Sequence, residues 1–421
     1  MNMNICLNMI VKDEGQRIGR CLDSVLPFIN AWVICDTGSK DNTRNLVGDR
    51  LADLPGALYE EPWKDFEMNR NSALAHAKTF AGPDGYILFM DADDWIVNEG
   101  MDLYIGAASC YDIEEHDQNL RFWRPFIVRA NLPWRWIGKT HECLTLDGEA
   151  LPASRQRIMG MYRQRGGKRP GQILAKLGRD VGLLLEAVAI APNDARSRFY
   201  LAQTYKDMGR REAALDSYER RIQMPGDLEE HWWAHYEAAI LRELLHRPTE
   251  LILMSYLSCY ELRPTRAEPL WQAARFCRVG GMYHAGLIFA ERGLRIPRPV
   301  DSLFIDEEIY RWKMLDEYSI CAYWTGLHEV CLDACRELLD GRAPEGETDR
   351  IKRNMSHAAD QMRARGIWQR HEGDRPMPKL ELQGPVESNT AGESGLSENK
   401  PMAQCATDTV ERGQINRISH D

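Results

Sequence analysis

The first stretch of the chain alternates short apolar runs with amphipathic ones. Ile5 to Val11 is a β-rich apolar run. Behind Lys12-Asp13-Glu14, the residues Ile18, Cys21, Leu22, Val25 and Leu26 fall at steps of three and four, the spacing of one helix face. Trp32-Val33-Ile34-Cys35 reads as a second strand, ended by Asp36-Thr37-Gly38-Ser39. Ser39 or Asp41 is placed to cap a helix that begins near Asn42. A weaker third strand covers Ala57 to Tyr59, a helix runs from Phe66 to Ala77, and Tyr86 to Met90 is a fourth strand. This alternation predicts an α/β fold with a parallel, doubly wound, Rossmann-like sheet. Ligands of such sheets sit outside the carboxyl ends of the strands. Lys12–Glu14, Asp36–Ser39 and Asp91–Asp94 all fall at those ends.

The pattern changes twice more. From Arg121 to Tyr162 the runs "RFWRPFIVRA", "GKTHECLTLDG" and "SRQRIMGMY" suggest hairpins added to the sheet, and "RQRGGKRPGQ" then reads as a mobile, basic, Gly-rich loop. From Ile173 onward the periodicity is helical. Leu201, Ala202, Tyr205, Gly209, Ala214 and Tyr218 stand where a tetratricopeptide unit places its small and aromatic packing residues. Ala238 and Ala274 recur at steps of roughly 35 residues, and Pro192, Pro264 and Pro297 fall near unit ends. The expected organisation is a catalytic α/β domain over residues 1–170, an all-α tetratricopeptide-like solenoid over 171–345, and a terminal helix followed by a tail over 346–421. Beyond Gly373 the composition is that of a disordered segment.

Composition narrows the function. A net charge of −10 argues against nucleic acid as the main partner, because phosphate contacts need clustered Lys and Arg. The 11 Cys residues form no C-x-x-C pair, so they read as reduced thiols of a cytoplasmic protein. No signal peptide is apparent, and no apolar run approaches the roughly 18 residues of a membrane span.

The candidate chemistry centres on "FMDADDW", where Asp91, Asp93 and Asp94 crowd behind an apolar strand. Like charges gathered there are explained either by a solvated acidic turn or by a divalent cation. Mg²⁺ or Mn²⁺ prefers such oxygens and bridges to a diphosphate. Five segments then fall in order: "MIVKDEGQRIGRCLDSV", "VICDTGSKDNT", "NRNSALAHA", "ILFMDADD" and "WIGKTHECL". Together they resemble a family 2 glycosyltransferase of the GT-A type over residues 4 to 165. The helical half resembles the C-terminal extension of certain members, among them relatives of peptide S-glycosyltransferases, with "FYLAQTYKDMG" and "RPTRAEPL" as the matching strings.

The resemblance implies an inverting transfer from a nucleotide-sugar donor, such as a UDP-sugar, with Mg²⁺ or Mn²⁺ as cofactor. It implies that Asp36 holds the nucleotide base, that Lys12 and Glu14 border the same pocket, that Arg70 approaches base or phosphate, and that Asp91 lies near the ribose. Asp93 is the implied metal ligand. Turn capping for Asp36 and an ordinary surface role for Arg70 are the plain alternatives. Within "THECL", Glu142 is the candidate base for the acceptor's proton, and His141 either completes the metal shell, shares the catalytic role or lines the acceptor site. If this segment is a strand, the two adjacent side chains point to opposite faces, and His141 could instead pack against Trp134 or Trp136. Relatives often carry a His where this chain has Tyr162-Arg163, which leaves the third metal ligand open. Arg163, Arg165, Lys168 and Arg169 are expected either to fold over the diphosphate or to form a solvated loop. A nucleotidyltransferase and a non-catalytic repeat scaffold are the rival readings. The first lacks its Gly-rich phosphate loop after strand one. The array is expected to hold a peptide or protein acceptor or to build a homodimer. In "HWWAHYEAA" at least one of Trp232, Trp233 and Tyr236 is expected to project outward as a contact residue.

Overall fold

The structure is a computed structural model and describes residues 4–148, 154–166 and 173–365. Lys168, Arg169 and the tail beyond Gly373 lie outside the described residues. The chain opens as β1 (Ile5–Val11), α1 (Ile18–Val25), β2 (Ala31–Asp36), α2 (Thr43–Arg50), β3 (Gly56–Glu60), α3 (Phe66–Ala81) and β4 (Tyr86–Phe89). These four strands are parallel, in the order β3-β2-β1-β4. Successive β1 residues serve opposite faces. Leu7, Met9 and Val11 pack with Ile18, Leu22 and Val25 of α1, while Cys6 packs with Ala73, Leu74 and Ala77 of α3. A strand buried on both faces is apolar almost throughout: β2 is apolar up to Cys35, and β1 is broken only by the buried Asn8, whose amide donates to the Ala73 carbonyl at 2.9 Å. The helix behind Asp36 begins one residue later than its expected cap implies. Asn42 holds the N-cap position without a side-chain bond, and Asp41 instead accepts from the Thr43 N–H at 3.0 Å.

The middle of the chain gives β5 (Trp95–Asn98), β6 (Cys110–Asp117), β7 (Leu120–Arg129), β8 (Trp134–Ile137), β9 (Cys143–Leu146) and β10 (Arg155–Gln164). Only β6–β7 is a hairpin added to the main sheet, which continues β4-β7-β6-β10-β5. The β8–β9 pair forms a separate two-stranded sheet, and β10 enters beside β6 in parallel. The sheet as a whole is therefore mixed.

The helical part contains α4 (Ile173–Ile190), α5 (Ala195–Asp207), α6 (Arg211–Ile222), α7 (Leu228–Leu244), α8 (Thr249–Leu262), α9 (Glu268–Val279), α10 (Tyr283–Leu294), α11 (Met314–Trp324), α12 (His328–Glu337) and α13 (Thr348–Ala364). Each packs on the next, and Ala202, Ala238 and Ala274 are fully buried at the close approaches. Between α10 and α11 a strap leaves the array, and its two-residue strand β11 (Ile305–Asp306) pairs antiparallel with Arg121 and Leu120 of β7. The two halves thus share one sheet.

The strap also corrects the expectation for α7. Trp232, Trp233 and Tyr236 are 2, 6 and 5 % exposed. Phe304 of the strap stacks on Trp233 with ring centroids 4.7 Å apart, and the buried Arg266 guanidinium lies 4.1 Å from the Trp232 ring centroid. Arg266 is itself held by Glu268 and Asp301. A second covering layer buries the helix face that a two-helix repeat would leave open.

Candidate active site

The carboxyl ends of β1, β2 and β4 collect the polar clusters at one edge of the sheet. Asp36 closes β2 and is 1 % exposed. Its Oδ1 accepts from the N–H groups of Gly38 (3.0 Å) and Ser39 (2.8 Å), a tight turn that needs Gly38 at φ +105°. Arg44 Nε lies 3.8 Å from Oδ1. Oδ2 is buried and has no hydrogen-bond partner among the described residues. Leaving such an oxygen unsatisfied costs about 1–3 kcal/mol, which an N–H donor or a bound water would offset. Beside it, Lys12 is exposed and Glu14 half-buried after β1. The loop is tied to the next strand end by Asp13 N–H to Ser39 Oγ (2.9 Å) and Glu14 N–H to Thr43 Oγ1 (2.8 Å).

Arg70 on α3 joins two of the motifs. Its Nη2 donates to Asp91 Oδ1 at 2.7 Å and its Nε to Glu142 Oε1 at 2.5 Å, with the guanidinium 4.9 Å from the Trp136 ring centroid. Burial would raise the Asp91 carboxyl, but Arg70, followed by Arg163 and Arg165, holds it well below the usual carboxylate range. Asp93 faces outward, 3.6 Å from Arg17 Nη1. Asp94 is buried and accepts the Gly166 N–H at 3.1 Å. Burial pushes its carboxyl up to about 6, against the pull of nearby Arg163. Among the described residues no group of three or more His, Cys, Asp or Glu is arranged to hold a metal ion. Asp91 and Asp93 both offer partly exposed carboxylates at the strand end, Asp91 with one oxygen already taken by Arg70. That donor set suits Mg²⁺ or Mn²⁺, which keep bound waters and take further oxygens from phosphate.

Two expectations are corrected here. Arg163 does not belong to a mobile basic loop. It is buried on β10, 3.4 Å from Asp94 and ion-paired with the buried Glu115 of β6. Arg165 is half exposed, 3.8 Å from Asp117. The "THE" of "THECL" is not strand: β9 begins at Cys143, and His141 adopts φ +52° in the preceding turn. Its ring stacks on Tyr200 of α5, not on Trp134 or Trp136, with centroids 4.2 Å apart and planes 8° from parallel. The turn sends Glu142 to Arg70 and His141 to the helical array. Tyr200, Arg196 and Asp180, which touch this loop from the array, gave no functional signal in the sequence. Tyr200 lies inside a string that reads fully as repeat packing. A cavity of about 610 Å³ lies between α3 and β8, lined by Glu61, Lys64, Asn71, Trp134 and Arg135 among others, but not by Asp36, Asp91, Asp93 or Asp94.

Comparison with known proteins agrees with this architecture. Residues 6–101 match the model described as Glycosyl transferase family 2. The chain is 24% identical over 230 residues to the SPbeta prophage-derived glycosyltransferase SunS of Bacillus subtilis, covering 52% of this chain and 53% of that protein. A TPR repeat-containing protein of Synechococcus elongatus is 35% identical over 95 residues, 23% of this chain and 22% of its own. The chain thus spans about half the length, or less, of the curated relatives it matches. Among solved structures, the C-terminal part of a TPR repeat-containing protein of Cytophaga hutchinsonii aligns at TM-score 0.38 and 12% identity, over 47% of this chain and 72% of that one. YrrB, a TPR protein with an unusual peptide-binding site, aligns at 0.33 and 14%, over 43% and 85%. Residues 6–101 are thus similar to family 2 glycosyltransferases, and the helices α4 to α13 follow that part of the chain.

Proposed function

We propose that the protein is an inverting glycosyltransferase that moves a sugar from a nucleotide-activated donor, a UDP-sugar in the first instance, to a peptide or protein acceptor. The observation that carries this reading is Asp36: a buried carboxylate oxygen without a donor, at the ligand edge of the sheet. The imide N–H of a uracil is the kind of group that satisfies it. Arg70 then stands between the donor side, through Asp91, and the acceptor side, through Glu142. In the reaction the acceptor's O–H or S–H gives its proton to Glu142. The freed lone pair attacks the anomeric carbon, and the bond from that carbon to the diphosphate oxygen breaks, so that nucleoside diphosphate leaves with its electron pair. Asp93 would hold Mg²⁺ or Mn²⁺, which supplies charge stabilisation for the leaving diphosphate. The helical array is the surface for the acceptor or for a second copy of the chain. No described helix is long and apolar enough to cross a membrane, and we place the reaction in the cytoplasm.

The test is release of nucleotide from a panel of nucleotide sugars, with Mn²⁺ and with EDTA. Turnover confined to one or a few donors and lost in EDTA is expected. No release from any donor, with no UDP binding by calorimetry, would sink the reading.

A further inference from the structure

The loop 138–142 carries the candidate base, yet it belongs to neither β8 nor β9. It contains two residues in left-handed conformations, Gly138 at φ +112° and His141 at φ +52°. A histidine does not hold such a conformation unless its surroundings enforce it. Two sets of contacts do so. On one side, α3 takes the Gly138 N–H on Glu67 Oε2 (2.8 Å), donates the Phe66 N–H to the Lys139 carbonyl (3.3 Å), and pairs Arg70 with Glu142. On the other side, the helical array holds the loop residue by residue. Lys139 Nζ reaches Glu186 at 2.9 Å, and Thr140 Oγ1 donates to the buried Asp180 Oδ1 at 3.3 Å. The His141 ring lies flat on Tyr200, and Arg196 Nη2 donates to the His141 carbonyl at 3.3 Å. Arg196 also lies over the Tyr200 ring and pairs with the buried Glu230 of α7, so the contact is anchored two helices deep.

We propose that the helical array, through Tyr200, Arg196 and Asp180, positions the loop that carries Glu142, so that the base is assembled only when the array is in place. This rests on the glycosyl-transfer reading above. The backbone turn at His141 decides where the next side chain points. Tyr200 fixes that turn from one side while Arg70 receives Glu142 on the other. A base displaced by about 1 Å can lose roughly 100-fold in rate. The array is therefore part of the machinery for the chemical step, in addition to any acceptor it holds. Tyr200, Arg196 and Asp180 are positioning residues: they act through His141 and Thr140 and leave the donor's nucleotide untouched.

The experiment uses the full chain and three variants: Tyr200→Phe, which keeps the ring stack, Tyr200→Leu, which removes it, and Thr140→Val, which removes the bond to Asp180 at constant shape. Hydrogen exchange read by mass spectrometry follows peptides covering 138–146, α3 and β4. Steady-state hydrolysis uses the nucleotide sugar that the wild type turns over fastest in the panel. Tyr200→Leu should raise exchange in 138–142 and leave α3 and β4 as they were. Its kcat should fall about ten-fold or more with KM for donor within about two-fold, because positioning of the base is lost and nucleotide binding is not. Tyr200→Phe keeps the stack and loses only the hydroxyl that accepts from Arg196 at 3.3 Å, so its kcat loss should be clearly smaller than that of Tyr200→Leu. Thr140→Val should show the same kcat-only loss at smaller size, and it carries the test if Tyr200→Leu fails to fold. Unchanged kcat in Tyr200→Leu, or in Thr140→Val if that is the folded variant, overturns the inference. So does loosening that spreads equally into α3 and β4 with kcat falling and KM rising together. A wild type that releases nucleotide from no donor and binds no UDP overturns the glycosyl-transfer reading itself, and the two failures are told apart by the wild-type control.

Discussion

Asp36 and Glu142 are both held by the chain on one side and open to chemistry on the other. Asp36→Asn keeps the oxygen that accepts from Gly38 and Ser39 but weakens what the second one offers an incoming N–H. A charge-assisted hydrogen bond contributes about 1.5–3 kcal/mol, so UDP affinity by calorimetry should drop roughly 10- to 100-fold. The melting temperature should change little, since the oxygen that accepts from Gly38 and Ser39 is kept and the other has no donor among the described residues. An undiminished UDP affinity would return Asp36 to turn capping. Glu142→Gln keeps the shape and an oxygen for Arg70 but takes up no proton. Donor binding should be retained while kcat falls about 100-fold, the scale of general-base removal. Asp93→Asn should abolish the Mn²⁺ dependence of donor turnover. If that variant still loses activity in EDTA as the wild type does, the metal is held elsewhere. Which residues gather at the ligand edge was legible in the motifs. Their pairing was not, because Arg70 meets Glu142 across 72 positions of sequence.

Helix α7 and the turn before β9 show where one-dimensional pattern fails. The aromatic trio of α7 was expected to leave one ring outside. That expectation counted only helix neighbours, and the strap supplies Phe304 as a further one. "GKTHECLTLDG" reads as a strand-like run, yet its first half turns, because Gly138 and His141 take left-handed conformations enforced by contacts from α3 and α5. Helix α7 also carries a pH signature. Burial, with His231, Arg242 and Arg221 nearby, lowers the His235 imidazole to about 4, from 6.5 when unfolded. Its folded form binds the proton less readily than the unfolded chain does. The stability it contributes is present above pH 6.5 and is lost progressively as pH falls from 6.5 toward 4. The wild-type melting temperature should fall across that window, and His235→Gln should flatten the fall. An unchanged slope would show that His235 is not the group responsible.

At the scale of the whole molecule, the two halves share hydrogen bonds as well as surface. Ile305 and Asp306 extend the catalytic sheet, the Trp123 N–H donates to the Ser302 carbonyl at 2.7 Å, and Arg298 pairs with Glu114 of β6. Docked domains that meet only at a polar surface can unfold separately, whereas elements of one sheet lose their partners together. The intact chain is expected to show one cooperative thermal transition, with UDP raising the single melting temperature. Two well-separated transitions in calorimetry, only one of them moved by UDP, would show that the halves are energetically independent.

Local chemistry alone specified the parallel strands, the helix faces and the carboxylate clusters at the strand ends. Those features follow from side-chain period and from the geometry of a strand that must bury both faces, and each needs only neighbours in sequence. The same holds for Ala202, Ala238 and Ala274, whose spacing reports helix packing directly. Tertiary contact decided the rest. It placed β11 on β7, buried Arg163 between Asp94 and Glu115, and set the His141 turn that parts the ring from the carboxylate. These outcomes depend on groups brought together from distant parts of the chain. Their energies arise only once desolvation and contact are shared in the folded state, so no window of sequence contains them.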